Sequence, residues 1–399
     1  MREQLGKNAY FRTRNMTWDN VALEYSKLFS KYSSDIAEVS KNKKIPRIKL
    51  KHLFDLTDEF GIIQFAQLSL PDISSGYTVD DNARALIACC SYIDQLGKAI
   101  RVLSPDKRKT EALKRIEIYL HFIEFVSDQN GLFYNYVKPD KTIDHELNQK
   151  ENLEDANGRT LWGLAIAATT ESLPDHMKQK AFSLLKKKMN QSLNMESPRA
   201  TAFLVKGLCQ LLKNQKETNR EDSKTQVIRY CDRLVSLYRG TSSKEWEWFE
   251  PYLTYSNAVV PEALLLGHRE TDNSDFLETG LKTLDFLIGQ TFLKDIYMPI
   301  GQDGWHHKMG ERRYFDQQPE DASAMTCALS TAYSVTGKEI YRKLMYESFN
   351  WFLGDNSLKQ VVYDRDSGGC YDGLGEGQIN LNQGAESTTS YLLARLALQ

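Results

Sequence analysis

The chain has 399 residues, of which 41% are hydrophobic and 26% charged, and its formal net charge is −2. That balance argues against a nucleic-acid partner, which needs concentrated Lys and Arg, and no apolar run approaches the ~18–20 residues of a membrane span. The opening MREQLGKNAYFRTRNMTW lacks the apolar stretch of a secretory signal, and the six cysteines show no metal spacing, so a cytoplasmic protein with reduced thiols and neither cofactor nor metal is expected.

Two kinds of helix alternate along the sequence. After a tail over 1–17, a first helix is expected over about 18–32. From there on, segments that are apolar nearly all round are ARALIACCSYI, GRTLWGLAIAAT, RATAFLVKGLCQLL, NAVVPEALLLG, ASAMTCALSTAYSV and STTSYLLARLAL. All-round apolarity predicts burial on every side. Between them lie amphipathic, charged helices over 107–128, 175–191, 221–238, 274–290 and 339–354. In the first of these Leu113, Ile116, Ile118, Tyr119, Phe122, Ile123 and Phe125 form one stripe.

Buried helices alternating with surface helices at this period describe helical hairpins. Six are countable if the helix over 18–32 packs outside the last buried one. An open solenoid would bury only one face of each inner helix. A closed (α/α)6 toroid buries them all round, so an all-α toroid spanning 1–399 as one domain is predicted. The links entering the buried helices are long and aromatic: GLFYNYVKPD, KEWEWFEPYLTY, YMPIGQDGWHHKMGERRYFDQQ and VVYDRDSGGCYDGLGEGQINLNQ. Their glycines mark turns between short extended pieces, and long loops gathered on one face suit a binding site.

Each buried helix is preceded by a polar cluster: Asp80-Asp81-Asn82, Glu154-Asp155-Ala156-Asn157, Glu196-Ser197, Ser256-Asn257, Glu320-Asp321 and Gln383-Gly384-Ala385-Glu386. Helix capping explains one acid per helix, because a carboxylate accepts from free N–H groups and suits the N-terminal dipole. Spacing also allows ion pairs of Asp81 with Arg84, Asp155 with Arg159 and Glu196 with Arg199. Neither explains why three clusters are doubled. A carboxyl beside an Arg is held ionised while a second one in an apolar mouth is pushed up, which yields an acid and a base at neutral pH. Glycosidic cleavage needs that pair, and adjacent inner helices stand at the separation an inverting mechanism uses. The candidate catalytic acids are Asp81 and Asp155, with Asp321 and Glu250 as alternative partners.

The remaining candidates are binding residues. Trp248, Trp305, Tyr77, Tyr255 and Tyr371 offer flat faces for sugar rings, with packing of the loops as the plainer alternative. Asp80, Asn157, Glu320, Gln383 and Glu386 would bond hydroxyls. Arg84, Arg159 and Arg199 would orient carboxylates or bind an acidic sugar. Of the seven histidines only His306 and His307 sit in a mouth loop, which disfavours a two-histidine proton relay.

With these features together, the chain resembles the six-hairpin glycosidase superfamily. GYTVDDNARALI and NQGAESTTSYLLA look like segments of a bacterial glycosidase-like group within it. The resemblance implies a toroid that acts on or binds carbohydrate, and it carries over Asp80, Asp81, Asn82, Arg84, Asn382, Gln383 and Glu386 as motif positions. A glycoside hydrolase is the expected activity. A sugar epimerase or isomerase of the same barrel type, or a non-catalytic glycan-binding toroid, are the rivals. Nothing in the sequence sets the oligomeric state.

Overall fold

The computed structural model describes residues 45–99, 107–129, 131–189, 191, 195–213, 220–293 and 296–398, with scattered positions before 45. The helix expected over 18–32 and the tail over 1–17 lie outside these. In chain order the first elements are α1 (Lys51–Asp55), the hairpin β1 (Ile63–Gln67) and β2 (Leu70–Thr78), α2 (Val79–Ala99), α3 (Lys107–Phe125), β3 (Tyr136–Val137), α4 (His145–Lys150) and α5 (Glu154–Thr169). There follow α6 (Asp175–Met189), α7 (Pro198–Leu212), α8 (Arg220–Thr241), β4 (Tyr252–Leu253), α9 (Val259–Thr271) and α10 (Ser274–Thr291). The last are β5 (Phe292–Leu293), β6 (Ile296–Tyr297), β7 (His306–His307), α11 (Pro319–Thr336), α12 (Glu339–Asn350), β8 (Gly373–Leu374), β9 (Ile379–Asn380) and α13 (Ala385–Ala397).

Composition sorts these helices into two layers. From Arg199 to Leu212, α7 buries every residue except Gln210, so it has no face left for water. By contrast α6 buries only Met177, Ala181, Leu184, Leu185 and Lys188, a single stripe at helical spacing. The six all-round apolar helices close a ring: α2 packs on α5, α5 on α7, α7 on α9, α9 on α11, α11 on α13, and α13 back on α2. Outside them α3 covers α2, α6 covers α5, α8 covers α7, α10 covers α9 and α12 covers α11. This is the (α/α)6 toroid. Small residues permit the tight inner ring: a Cβ on Gly158 of α5 would stand 2.7 Å from the Ala200 backbone oxygen of α7.

Every strand among the described residues lies in a link that enters an inner helix. β2 is the centre of a three-stranded sheet, with Ile63 opposite Tyr77 and Tyr77 opposite Val137. β4 pairs with β7 so that Tyr252 faces His307, and β8 pairs with β9. One lysine of α6 does not lie on its surface. Lys188 is buried, and its ammonium donates to the carbonyls of Asp128 and Gly131, tying α6 to the turn before β3. No helix among the described residues is long and apolar enough to cross a membrane.

Candidate active site

The N-terminal ends of the inner helices meet at one mouth of the ring, and the polar clusters meet there with them. Arg84 of α2 is the hub. Its guanidinium is 2.5 Å from Asp80, 3.4 Å from Asp81, 2.9 Å from Glu320 of α11 and 2.9 Å from Glu386 of α13. Arg159 of α5 pairs with Asp80 and lies 2.6 Å from Glu320. Ser256, in the turn before α9, donates to the same Glu320 oxygen at 2.7 Å. Four carboxyls thus surround two guanidiniums, and five inner-helix segments contribute to one network.

Four acids against two cations leave two acids in surplus, and burial decides which. At Asp80 desolvation works upward, but Arg159 and Arg84 outweigh it and hold the carboxyl below its usual range. Glu320 is held low in the same way. Asp81 goes the other way: burial, helped by the charge of Asp80, raises it to about 6 against the pull of Arg84. Glu386 is raised to about 8, first by desolvation and then by Glu320, Asp81 and Asp80, again against Arg84. Its side chain is 45% exposed at the mouth. Asp80 and Glu320 are therefore ionised beside their arginines, while Glu386 holds its proton at neutral pH and Asp81 takes one up only on the mildly acidic side.

A second group lies on the α5–α7–α9 side. Asp155 accepts from the Ser197 hydroxyl at 2.5 Å and from the Tyr255 hydroxyl. Burial, then the adjacent Asp155, pushes the Tyr255 hydroxyl up, so it stays a donor. Arg199 lies over the Tyr255 ring at 4.9 Å and is 3.0 Å from Glu250. It also donates to the Tyr255 carbonyl at 2.7 Å and to Thr254 Oγ1 at 2.5 Å. The half-buried Trp305 sits with its ring 6.2 Å from that of Tyr255. Its φ of 61° is unusual for a bulky residue and is held by hydrogen bonds from its N–H to Gly301 and to its carbonyl from Arg313.

Several expectations are corrected. Arg159 pairs with Asp80 and Glu320, and Arg199 with Glu250, because both side chains reach across to neighbouring segments instead of back along their own helices. With carboxylates already on each guanidinium, these arginines are not open cradles for an acidic sugar. Asp321 is buried and lines a small cavity of about 10 Å³ with Tyr297, Asn257, Leu287 and Thr291. Glu320, not Asp321, makes the ion pairs with Arg84 and Arg159, while Asp321 lies close enough to Glu320, Ser256 and Arg199 to feel them. Burial leaves the Asp321 carboxyl raised well above its ordinary range.

Among the aromatics, Trp248 is fully buried against Phe249 and Phe286 and presents no stacking face. Tyr77 is buried against Phe60 and Phe122, and its hydroxyl donates to Asp58 at 2.6 Å. Tyr371 is buried as well. Gln383 clamps its own loop: its amide donates to Asp364 at 3.0 Å, its side-chain oxygen accepts from Ser367 at 2.7 Å, and its carbonyl meets His52 at 2.8 Å. Asn157 is a staple, accepting from Phe133 N–H and donating to the Leu153 carbonyl, both at 2.8 Å. Its counterpart Asn82 does the same to Ile62 and Thr78. His306 lies on β7 with its ring 5.2 Å from Trp246; burial, then Arg312 and His307, keeps it low. No group of three or more His, Cys, Asp or Glu side chains among the described residues is arranged to hold a metal ion.

No protein-family model matches the chain, and no curated protein is similar to it in sequence. Solved structures do share its fold. The cellobiose 2-epimerase of Bacillus thermoamylovorans B4167 superposes with a TM-score of 0.63 at 13% identity, covering 95% of this chain and 98% of that one. An inactive α-1,6-mannanase of Salegentibacter sp. HEL1_6, in which two consecutive aspartates are alanine, was solved with α-1,6-mannotetrose. It gives 0.56 at 10% identity over 87% of this chain and 95% of that one. A cellulase of C. cellulolyticum gives 0.54 at 8%, over 84% and 86%. At these identities the likeness is one of architecture: the chain has the toroid found in six-hairpin epimerases, cellulases and mannanases.

Proposed function

We propose that this protein is a glycoside hydrolase that cleaves an oligosaccharide or sugar conjugate at the inner-helix mouth. The observation that carries the reading is the division of carboxyls around Arg84. Two are held ionised by the arginines; two are raised, and the higher of those, Glu386, is open to solvent. An exposed carboxyl that still holds its proton near neutral pH is suited to protonating a leaving glycosidic oxygen. Glu386 is assigned that role. Asp155, held by two hydroxyls and by no arginine, is assigned the base that activates water. Asp80 and Glu320 are assigned to substrate hydroxyls, and Trp305 with Tyr255 to stacking against a sugar ring. The toroid is shared by mannanases and a cellulase as it is by epimerases, so the choice of hydrolysis rests on the carboxyl arrangement.

The epimerase reading is weaker on chemistry. It calls for proton transfer at carbon, yet no histidine among the described residues joins the Arg84 network. His52 is buried under the Gln383 carbonyl, and His306 packs on Trp246. The test is a panel of manno-, gluco- and cello-type oligosaccharides followed by proton NMR. Release of product in one inverted anomeric form, abolished by Glu386→Gln and by Asp155→Asn, is expected. Epimerised product with solvent deuterium on carbon, or hydrolysis untouched by both variants, overturns the assignment.

A further inference from the structure

Beneath the mouth, two adjacent inner helices interleave four side chains in a column. Arg159 and Trp162 are three residues apart on α5, and Phe203 and Lys206 are three apart on α7. The Arg159 guanidinium carbon lies 4.3 Å above the Phe203 ring. The Phe203 ring is stacked on Trp162, with centroids 5.9 Å apart and planes 11° from parallel. The Lys206 ammonium lies 4.1 Å from the Trp162 ring centre. Cation, ring, ring and cation therefore alternate downward from the mouth. The lower end is pinned: Lys206 is 2.6 Å from Glu262 of α9, which also accepts from Thr331 of α11 at 3.2 Å. Lys206 and Glu262 are both buried. A Cβ on Gly158 or Gly207 would press on the facing helix, so α5 and α7 are locked at this spacing.

We propose that Phe203 and Trp162 are positioning residues for Arg159, and that the Lys206–Glu262 pair anchors them. A guanidinium on an aromatic face keeps its N–H edge free in the plane, and that edge holds Asp80 and Glu320. Arg159 is the only arginine besides Arg84 on these two carboxyls among the described residues. Tilting it weakens the restraint that keeps them ionised, and the proton distribution over Asp81 and Glu386 changes with it. The groups facing Arg159 are Asp80 and Asp81 of α2, Glu320 of α11 and, through Arg84, Glu386 of α13. The inference rests on the proposed site for its catalytic consequence, but its physical content does not need that reaction.

The experiment uses the whole protein labelled with carbon-13 at Asp and Glu carboxyls and follows their titration by NMR, with thermal melting as a check on folding. Phe203→Leu, which keeps an apolar side chain and removes the ring, is expected to raise the Asp80 and Glu320 titrations by roughly one unit. Phe203→Tyr is expected to restore them. Where a substrate has been found, the same variant moves the alkaline limb of the rate profile and lowers kcat more than it changes KM. Folded Phe203→Leu protein with unchanged carboxyl titrations overturns the proposal, whatever its activity. If Phe203→Leu does not fold, Lys206→Gln with Glu262→Gln removes the anchor without leaving a lone buried charge, and must still shift the two carboxyls upward. Shifted titrations in a protein that hydrolyses nothing would keep the column and discard the hydrolase.

Discussion

Arg84 and Glu320 stand 2.9 Å apart across the mouth, although 236 residues separate them in sequence and α2 and α11 are not neighbours in the ring. Their contact makes the site a property of the closed toroid, because no single hairpin contains it.

The first prediction concerns catalysis. Replacing Glu386 by Gln removes the proton donor while keeping a side chain of the same shape. Turnover should fall by about 10²–10⁴-fold. In the parent protein the rate should decline as pH rises through about 8, where Glu386 loses its proton. The variant's residual rate should lack that decline. Rates against pH for both proteins check this; an intact alkaline limb in the variant would assign the limb to another group.

The second is a stability profile. Asp81 and Glu386 have folded-state values above those of an unfolded chain, so between the two values the folded state holds more protons. Stability should therefore rise as pH falls from about 8 towards 5. For Asp81, almost wholly buried, the effect is on the order of 2–3 kcal/mol. Asp80 and Glu320 are depressed, so below about 4 their protonation removes stability. Melting temperatures should peak on the acid side of neutrality, and Asp81→Asn should flatten the slope above pH 5. A peak at pH 8 or higher would contradict the assignment.

Arg84 serves four carboxyls, so its loss should be severe. Arg84→Met leaves Asp80 and Glu320 to share Arg159 alone and is expected to destabilise by about 3–5 kcal/mol. Adding Glu320→Gln leaves Arg159 a single charged partner, Asp80, and the double variant should be more stable than the sum of the single changes predicts. Denaturant unfolding of all three variants measures that coupling.

Two tryptophans predicted alike from sequence should behave differently. Trp305→Ala, at the mouth, is expected to raise KM about tenfold with little change in melting temperature. Trp248→Ala, in the core, should destabilise by about 3–5 kcal/mol. A pair of thermal melts suffices to separate them.

Selectivity provides a fifth test. Because the arginines are already paired, uronic-acid oligosaccharides should bind more weakly than neutral ones of the same length. Competition in saturation-transfer NMR measures this, and a preference for the uronate would show that the ion pairs open on binding.

The sequence made the architecture readable because burial on all sides leaves a compositional mark. α7, with no charged residue between Arg199 and Lys206, could only be interior to a ring. The polar clusters were readable as a mouth for the same reason: they recur at each inner-helix start. What local spacing could not supply was direction. Arg159 sits four residues from Asp155, yet it turns to Asp80 and Glu320, partners fixed only when the ring closes. Doubling of acids was likewise ambiguous. Glu154 accepts the backbone N–H groups of Glu196 and Ser197 at 2.8 and 2.6 Å, so one member of that pair holds the chain entering α7 while Asp155 takes the hydroxyls. Loop aromatics were the least legible, because Trp248 and Trp305 differ only in which way their loops fold back. Glu386, placed among binding residues by its motif, is singled out by the three acids around it, which no linear pattern reveals.

The closure of α13 onto α2 also orders events in time. While the polypeptide is being made, hairpins that begin at α2 can stack as each emerges, but Arg84 has neither Glu320 nor Glu386 to meet. The acid proposed for chemistry arrives on the last inner helix, so a partly synthesised chain carries the scaffold without the proton donor. Ribosome-bound intermediates halted before residue 385 should be structured and inert, with one face of α2 exposed until the final helix docks.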